Sequence, residues 1–348
     1  FGGLDNMYLF QRRSGVIAVF LLLAHFIVVP RDLTEFTPGK PLGFYAFALI
    51  IIGVILSAAP VFKRKIPYHK WKNIHKLMGV FYVMGVVHGL MVHSLIKELP
   101  ITRVYVFGMA FIGIAAWVYR ALLFNIFNKK LEYKIVDIKD LGYQITEILM
   151  KPVKKELNYL AGQFAFFKLP TFSTQEQHPF TISSHPYSET LRVTVKGLGD
   201  YTDKLGSEVN VGDKAWLEGP YGHFSSSYIK ESDQIWIAGG IGITPFLSLM
   251  RDIHPNQVHL FWCVNKKEEA VYADELQEVA SNNPNFHYTN WSSEVSGHLT
   301  ADKLGIDNFK NKGYLICGPA SLKNSMMKQL RQQGVSQENI YDEEFAFR

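Results

Sequence analysis

The stretch Gly239-Gly240-Ile241-Gly242-Ile243-Thr244-Pro245 leaves a short apolar run, Gln234–Ala238, and enters a second, Thr244–Asp252. A buried strand that turns on glycines into a helix opens a βα unit. Glycine lets backbone approach a phosphate closely, and the free N–H groups of a first helical turn attract it. Pro245 suits that turn, where a missing N–H loses no partner. The spacing is not G-x-G-x-x-G, so this motif alone leaves a nucleotide site and a plain βα turn both open.

The alternation continues toward the C-terminus. Val258–Val264 reads as a strand, Asp274–Ala280 as a helix, Asn285–Asn290 and Tyr314–Cys317 as strands, and Ser321–Gln333 as a helix. Residues 232–348 therefore predict an α/β domain with a parallel sheet. Toward the N-terminus the rhythm changes. Tyr133–Ile138, Tyr143–Leu149, Gln163–Leu169, Leu191–Lys196 and Lys214–Glu218 are short, β-rich and separated by Gly, Pro, Asp or Asn. Residues 131–231 predict a small antiparallel β-barrel.

Residues 1–130 differ again. Four apolar runs, Ser14–Pro30, Pro41–Phe62, Ile74–Ile96 and Val104–Phe127, each approach the roughly 20 residues that cross a hydrocarbon core of about 30 Å. The expected fold is a multidomain membrane protein, with an all-α transmembrane bundle ahead of the barrel and the α/β domain. Charge follows the same division. The chain carries 36 Lys and Arg against 31 Asp and Glu, a net +5. Residues 1–130 hold 15 against 4, or +11, which leaves −6 for residues 131–348.

Lys63, Arg64, Lys65, Lys70, Lys72 and Lys76 crowd the link between runs two and three. With Arg12, Arg13, Lys129 and Lys130 they mark the cytoplasmic side of a cell membrane. Runs one and three then rise outward, and residues from 131 on are cytosolic. A 48% hydrophobic composition excludes a disordered chain. Cys263 and Cys317 are too few for a disulfide framework and fit a reducing compartment. Positive charge spread along membrane-flanking loops argues against nucleic acid. The lipid bilayer is the expected partner, and no regulatory protein is indicated.

An ionisable residue at membrane depth is a functional hypothesis. His25 lies in run one, and His75 and His88 lie in run three. Neutral imidazole ligates haem iron. Thirteen residues from His75 to His88 rise about 20 Å, one ligand to each leaflet. His25 and His88 reach the same depth on parallel spans. Hydrogen bonds to backbone or serine within the bundle are the alternative use. An ideal helix leaves His75 and His88 about 140° apart, so either the helix is locally distorted or two haem planes are offset.

Six motifs follow in order: HPFTISS (178–184), VKGLGDYT (195–202), EGPYGHF (218–224), GGIGITP (239–245), CGP (317–319) and EEFAFR (343–348). Their order resembles the ferredoxin-reductase type of FAD and NAD(P)H module. With a histidine-bearing bundle in front, the whole chain resembles the NADPH oxidase and ferric reductase superfamily, in the compact form of bacterial NADPH oxidases. That superfamily usually has six spans, so the resemblance implies two further spans ahead of residue 1. It also implies FAD, NADPH or NADH, and two haem b groups, ligated by His25, His75 and His88. His178, Pro179, Phe180, Thr181, Ser183 and Ser184 would cradle FAD, with the hydroxyls of Thr181 and Ser183 toward the flavin. Lys196, Gly199 and Thr202 would meet its phosphates. Gly239, Gly240, Gly242, Thr244 and Pro245 would hold the dinucleotide. Cys317, Gly318 and Pro319 would sit near the nicotinamide, and Phe345 would cover the flavin ring.

One residue departs from the superfamily pattern. Gln11, fourteen residues before His25, stands where a histidine is common. A haem on the cytoplasmic side then lacks a partner for His75. The expected activity is a NAD(P)H oxidase that passes electrons through FAD and haem to dioxygen outside, producing superoxide. A ferric-chelate reductase with the same path, or a haem-free membrane-anchored flavin reductase, are the alternatives. Lys266 and Lys267, after Val258–Val264, make NADPH plausible without excluding NADH.

Overall fold

The computed structural model describes residues 4–29, 37–58, 68–128, 130–171, 177–199, 201–253 and 257–343. The chain divides into two compact units, one built on residues 6–129 and one that starts at Lys130.

The first unit is helical, with α1 (Leu4–Val28), α2 (Gly39–Ala58), α3 (Tyr68–Lys76), α4 (Met78–Met91) and α5 (Pro100–Val118). Pro100 opens α5, where no N–H bond is lost. A π-type turn, Tyr119–Leu123, continues α5 into Phe124–Phe127. Among the described residues four segments are long and apolar enough to cross a bilayer: Met7–Val28, Gly39–Ala58, Lys70–Met91 and Pro100–Leu123. Expected as one run to Ile96, the third is two helices jointed at Leu77 and ends at Met91. At the joint, Leu77 N–H bonds the Ile74 carbonyl, three residues back instead of four. The helix between His75 and His88 is therefore distorted.

Helix α2 meets α4 through small residues. A Cβ at Gly39 would lie 2.9 Å from Met91 Cβ, and one at Gly53 would strike the Met78 sulfur. Gly79 in α4 likewise leaves room for the Trp117 indole of α5. Small residues let helices approach where lipid supplies no hydrophobic drive. Phe26 stacks on Phe47 at 4.9 Å and ties α1 to α2.

The second unit holds two sheets. β1 (Leu131–Asp140), β2 (Ile145–Pro152), β3 (Phe164–Lys168), β4 (His178–Thr181), β5 (Leu191–Lys196) and β6 (Lys214–Tyr221) form an antiparallel sheet in the order β4-β3-β6-β1-β2-β5. Among the described residues its two edges meet through one bridge, Ile182 to Val193, so the sheet curls nearly closed. Inward residues such as Ile135, Ile148, Phe167, Val193 and Leu217 fill the inside.

The second sheet is parallel, with β7 (Gln234–Gly239), β8 (Val258–Val264), β9 (Phe286–Ser292), β10 (Gly313–Cys317) and β11 (Ile340–Asp342) in the order β11-β10-β7-β8-β9. Helices α6 (Thr244–Leu249), α7 (Ala273–Asn282) and α8 (Ala320–Gln332) connect its strands. Trp236, Leu260, Trp262 and Leu315 pack on one face, and Ile235, Ile237, Phe261 and Ile316 on the other. Central β7 is buried along its whole length, as a strand covered on both faces must be.

His259 of β8 lies with Nε2 2.8 Å from Thr289 Oγ1 and its ring 6.1 Å from that of His287. Burial, then the neighbouring His287, draws its pKa down from 6.5 to about 4. The unfolded chain takes up this proton near pH 6.5 and the folded chain resists until about pH 4. Its contribution is complete above that window and lost as pH falls through it. Thermal melts at stepped pH should show the midpoint dropping between those values, and His259→Gln should flatten the drop. An unaltered profile in that variant would assign the acid sensitivity elsewhere.

Candidate functional site

The motifs of the second unit converge where the two sheets meet. His178 stacks on Tyr201 with ring centroids 3.7 Å apart, which joins HPFTISS to VKGLGDYT. Pro179 and Phe180 pair with Phe166 and Ala165 across the β3–β4 ladder. The Thr181 side chain is 4% exposed, and its hydroxyl has no hydrogen-bond partner among the described residues. Ser225, just past EGPYGHF, is fully buried with its hydroxyl in the same condition. Buried hydroxyls without partners are costly, so both fit a ligand that brings hydrogen-bonding groups.

The next two serines behave differently. Ser183 Oγ donates to the Arg192 carbonyl at 3.1 Å and lies 3.1 Å from Thr194 Oγ1. Ser184 Oγ accepts from Arg192 N–H and sits 2.8 Å from the Tyr159 hydroxyl, whose pKa burial pushes up to about 12. The Ser183 hydroxyl, expected toward the flavin, thus has its partners within the protein. Backbone pairing of 183–184 with 192 turns these side chains inward, where protein groups use them.

Lys196 ends β5 and leads into the Gly199 turn. A Cβ at Gly199 would meet nothing, whereas Thr202 Oγ1 accepts from Leu198 N–H at 2.9 Å and so shapes the turn. In EGPYGHF, Gly222 has φ +97°, and a Cβ there would lie 3.1 Å from Glu343 Oε1. The last described residue of the chain therefore returns to the first sheet. Phe345 lies outside the described residues.

The glycines of GGIGITP divide into two kinds. A Cβ at Gly239 would fall 2.8 Å from Pro319 Cδ, and one at Gly242 would hit the Cys317 carbonyl. Gly318 itself takes φ +152°, with Gly239 backbone 2.9 Å from where its Cβ would be. These three let the turns after β7 and β10 touch. Gly240 is the open one, with φ +53° and no atom within reach of a Cβ. Thr244 and Pro245 are buried at the start of α6, and Thr244 Oγ1 donates to the Ile241 carbonyl. Cys317 is fully buried in the core beside Leu315, and burial raises its thiol pKa well above the ordinary value. A neutral buried thiol packs; it is not a nucleophile.

In the helical unit, the His25 and His88 rings lie 6.5 Å apart with planes at 80°. His88 Nδ1 donates to the Gly39 carbonyl at 2.8 Å, which leaves Nε2 as the lone-pair nitrogen. A Cβ at Gly43 would strike this ring. Two imidazole–metal bonds of about 2 Å on opposite sides of one ion, with ring radii of about 1 Å, need centroids about 6 Å apart. The pair fits a bis-histidine haem. His75 stacks on Trp71 at 5.0 Å, and its Nδ1 is 3.3 Å from Ser57 Oγ. Among the described residues no second imidazole faces it. Gln11 shares helix α1 with His25.

A family described as "FAD-binding domain" matches residues 130–225, and one described as "Oxidoreductase NAD-binding domain" matches residues 236–328. The heavy chain of a superoxide-generating NADPH oxidase of Dictyostelium discoideum is 24% identical over 78% of this chain and 58% of its own. The chain is similar to members of the NADPH oxidase and ferric reductase superfamily. Dual oxidase 2 of Rattus norvegicus, another relative, is 25% identical over 67% of this chain. The chain spans only 16% of that relative's length. The FAD/NAD-binding domain of a Vibrio cholerae nitric oxide dioxygenase superposes with a TM-score of 0.56 at 20% identity, over 61% of this chain and 97% of that one, a likeness of fold. The chain carries a reductase module of the flavin and NAD(P)H type, an FAD-binding domain followed by an oxidoreductase NAD-binding domain.

Arg192, Glu147, Tyr272 and Glu275, which join the two sheets, escaped the sequence reading because they lie in no motif. Thr181 gives a direct test. Thr181→Val keeps shape and removes one hydrogen bond, so FAD affinity should fall about tenfold. Ser183→Ala, whose hydroxyl is already used within the protein, should leave affinity unchanged and lower thermal stability. Titration of apoprotein by flavin fluorescence reads both.

Proposed function

We propose that this chain is the electron-transferring core of a transmembrane NAD(P)H oxidase that reduces dioxygen to superoxide. The carrying observation is the His25–His88 pair, 6.5 Å apart between apolar helices of a chain that also holds a flavin and NAD(P)H reductase. A soluble flavin reductase has no use for two facing imidazoles at membrane depth.

FAD, when held here, would supply the conversion of a two-electron hydride to single electrons, and a b-type haem would supply one-electron relay. The protein's part is to bind, orient and exclude water. Thr181 and Ser225 offer buried hydroxyls to the flavin. Gly240 leaves its backbone open for the dinucleotide pyrophosphate. Lys266 and Lys267 follow β8, where a ribose 2′-phosphate would favour NADPH. Gly39 and Gly43 hold the His88 imidazole, whose ring lies 6.5 Å from that of His25 and whose second nitrogen keeps its lone pair. The basic link between the second and third helical spans is cytoplasmic, and so is the reductase. With Gln11 in place of an imidazole, a haem beside His75 would be weakly held.

Purified chain in detergent, given NADPH and FAD, should reduce cytochrome c in a manner that superoxide dismutase suppresses. His88→Ala should abolish that signal while artificial-acceptor reduction by the flavin persists. Reduction of a ferric chelate that superoxide dismutase leaves untouched, with no superoxide, would make ferric iron the acceptor. Full superoxide output from His88→Ala would remove the haem path.

A further inference from the structure

The two sheets of the reductase are joined by a buried ionic cluster centred on Arg192 of β5. Its Nη1 and Nη2 donate to the two oxygens of Glu275 at 2.9 and 3.2 Å. The same Nη2 donates to the Ser183 carbonyl at 3.0 Å. Nη1 lies 3.6 Å from Glu147 of β2. Tyr272 donates to Glu147 at 2.7 Å, meets Thr194 Oγ1 at 2.8 Å, and presents its ring to the guanidinium at 5.2 Å. The Arg192, Glu147 and Glu275 side chains are 15%, 6% and 22% exposed. Glu147, Thr194 and Arg192 belong to the curled sheet, and Tyr272 and Glu275 to the start of helix α7, which connects strands of the parallel sheet.

Two further cations approach the carboxylates from outside. Lys139 approaches Glu147 at 3.4 Å and Arg251 approaches Glu275 at 3.4 Å. Burial weakens the Arg192 charge, and the Glu275 fork more than offsets this, so its proton is held more tightly than usual. A desolvated forked pair fixes geometry in a way that exposed pairs do not. The adjacent Ser184 carbonyl accepts from Ser248 Oγ of α6 at 2.6 Å. Two consecutive carbonyls of the HPFTISS segment are therefore gripped by the nucleotide domain, one directly and one through Arg192.

We propose that Arg192 is a positioning residue, whose guanidinium ties the flavin-cradling segment to Glu275 and so fixes the separation of hydride donor and acceptor. This rests on the flavin and NAD(P)H assignment above. A misplacement of about 1 Å can cost on the order of 100-fold in rate.

The test uses the full chain in detergent and two variants. Arg192→Lys keeps a charge beside Glu147 but cannot hold the fork and Ser183 together. Glu275→Gln keeps shape and removes the charge, and it decides the matter if Arg192→Lys does not fold. Hydrogen exchange, measured without added cofactor, should quicken in residues 182–194 and 272–282 of either variant, while β7 and β8 stay protected. Anaerobic flavin reduction by saturating NADPH, per FAD bound, should slow about tenfold with KM for NADPH unchanged. Unchanged exchange, or a lowered melting temperature with reduction per bound FAD at the wild-type rate, would overturn the role. Wild-type FAD that NADPH does not reduce would instead defeat the oxidase reading, and the exchange result would still decide the clamp.

Discussion

Backbone touches backbone where β7 and β10 end. A side chain at Gly239, Gly242 or Gly318 would push the two turns apart, because each Cβ would land on the neighbouring turn. This contact puts GGIGITP beside CGP at the carboxyl edge of the parallel sheet, the edge where open α/β sheets bind ligands. Everything else at the seam depends on it. Gly240 can then stay open, Cys317 is sealed beneath, and Glu343 can reach Gly222 of the curled sheet. Glycine serves packing at three of these positions and access at one.

The helical unit solves a similar problem with similar means. Glycines on α2 admit the His88 ring and the end of α4, and a carbonyl on α2 sets that ring's tautomer. A backbone hydrogen bond and a metal bond are therefore not competing uses of His88. The Gly39 carbonyl engages one nitrogen and leaves the other with its lone pair. The imidazoles of His25 and His88 meet across two helices, α1 and α4, that share no sequence motif.

Much of this was legible in the residues. Strand–helix alternation from Gln234, short β-rich segments before it and long apolar runs at the start each follow from periodicity. What was missed has physical reasons. The joint at Leu77 carries no proline or glycine signal, so periodicity ran through it. Strand β11 has three residues, too few for a pattern to form. The α6 helix stops at Leu249 after a tight 3₁₀ turn, three residues short of the apolar run's end. Ser183 was assigned to the flavin by motif, yet its hydroxyl is turned inward by the bridge between sheet edges. Arg192 and Glu275 are far apart in sequence, and only the fold makes them a pair.

The continuous path from NADPH through flavin to a membrane haem is most directly tested by anaerobic rapid mixing of the full chain, loaded with FAD and haem, with NADPH. Flavin absorbance should bleach first, and a low-spin b-haem spectrum should then become reduced without any added mediator. Flavin that bleaches beside haem that stays oxidised, or a chain that takes up no low-spin haem, would contradict the path.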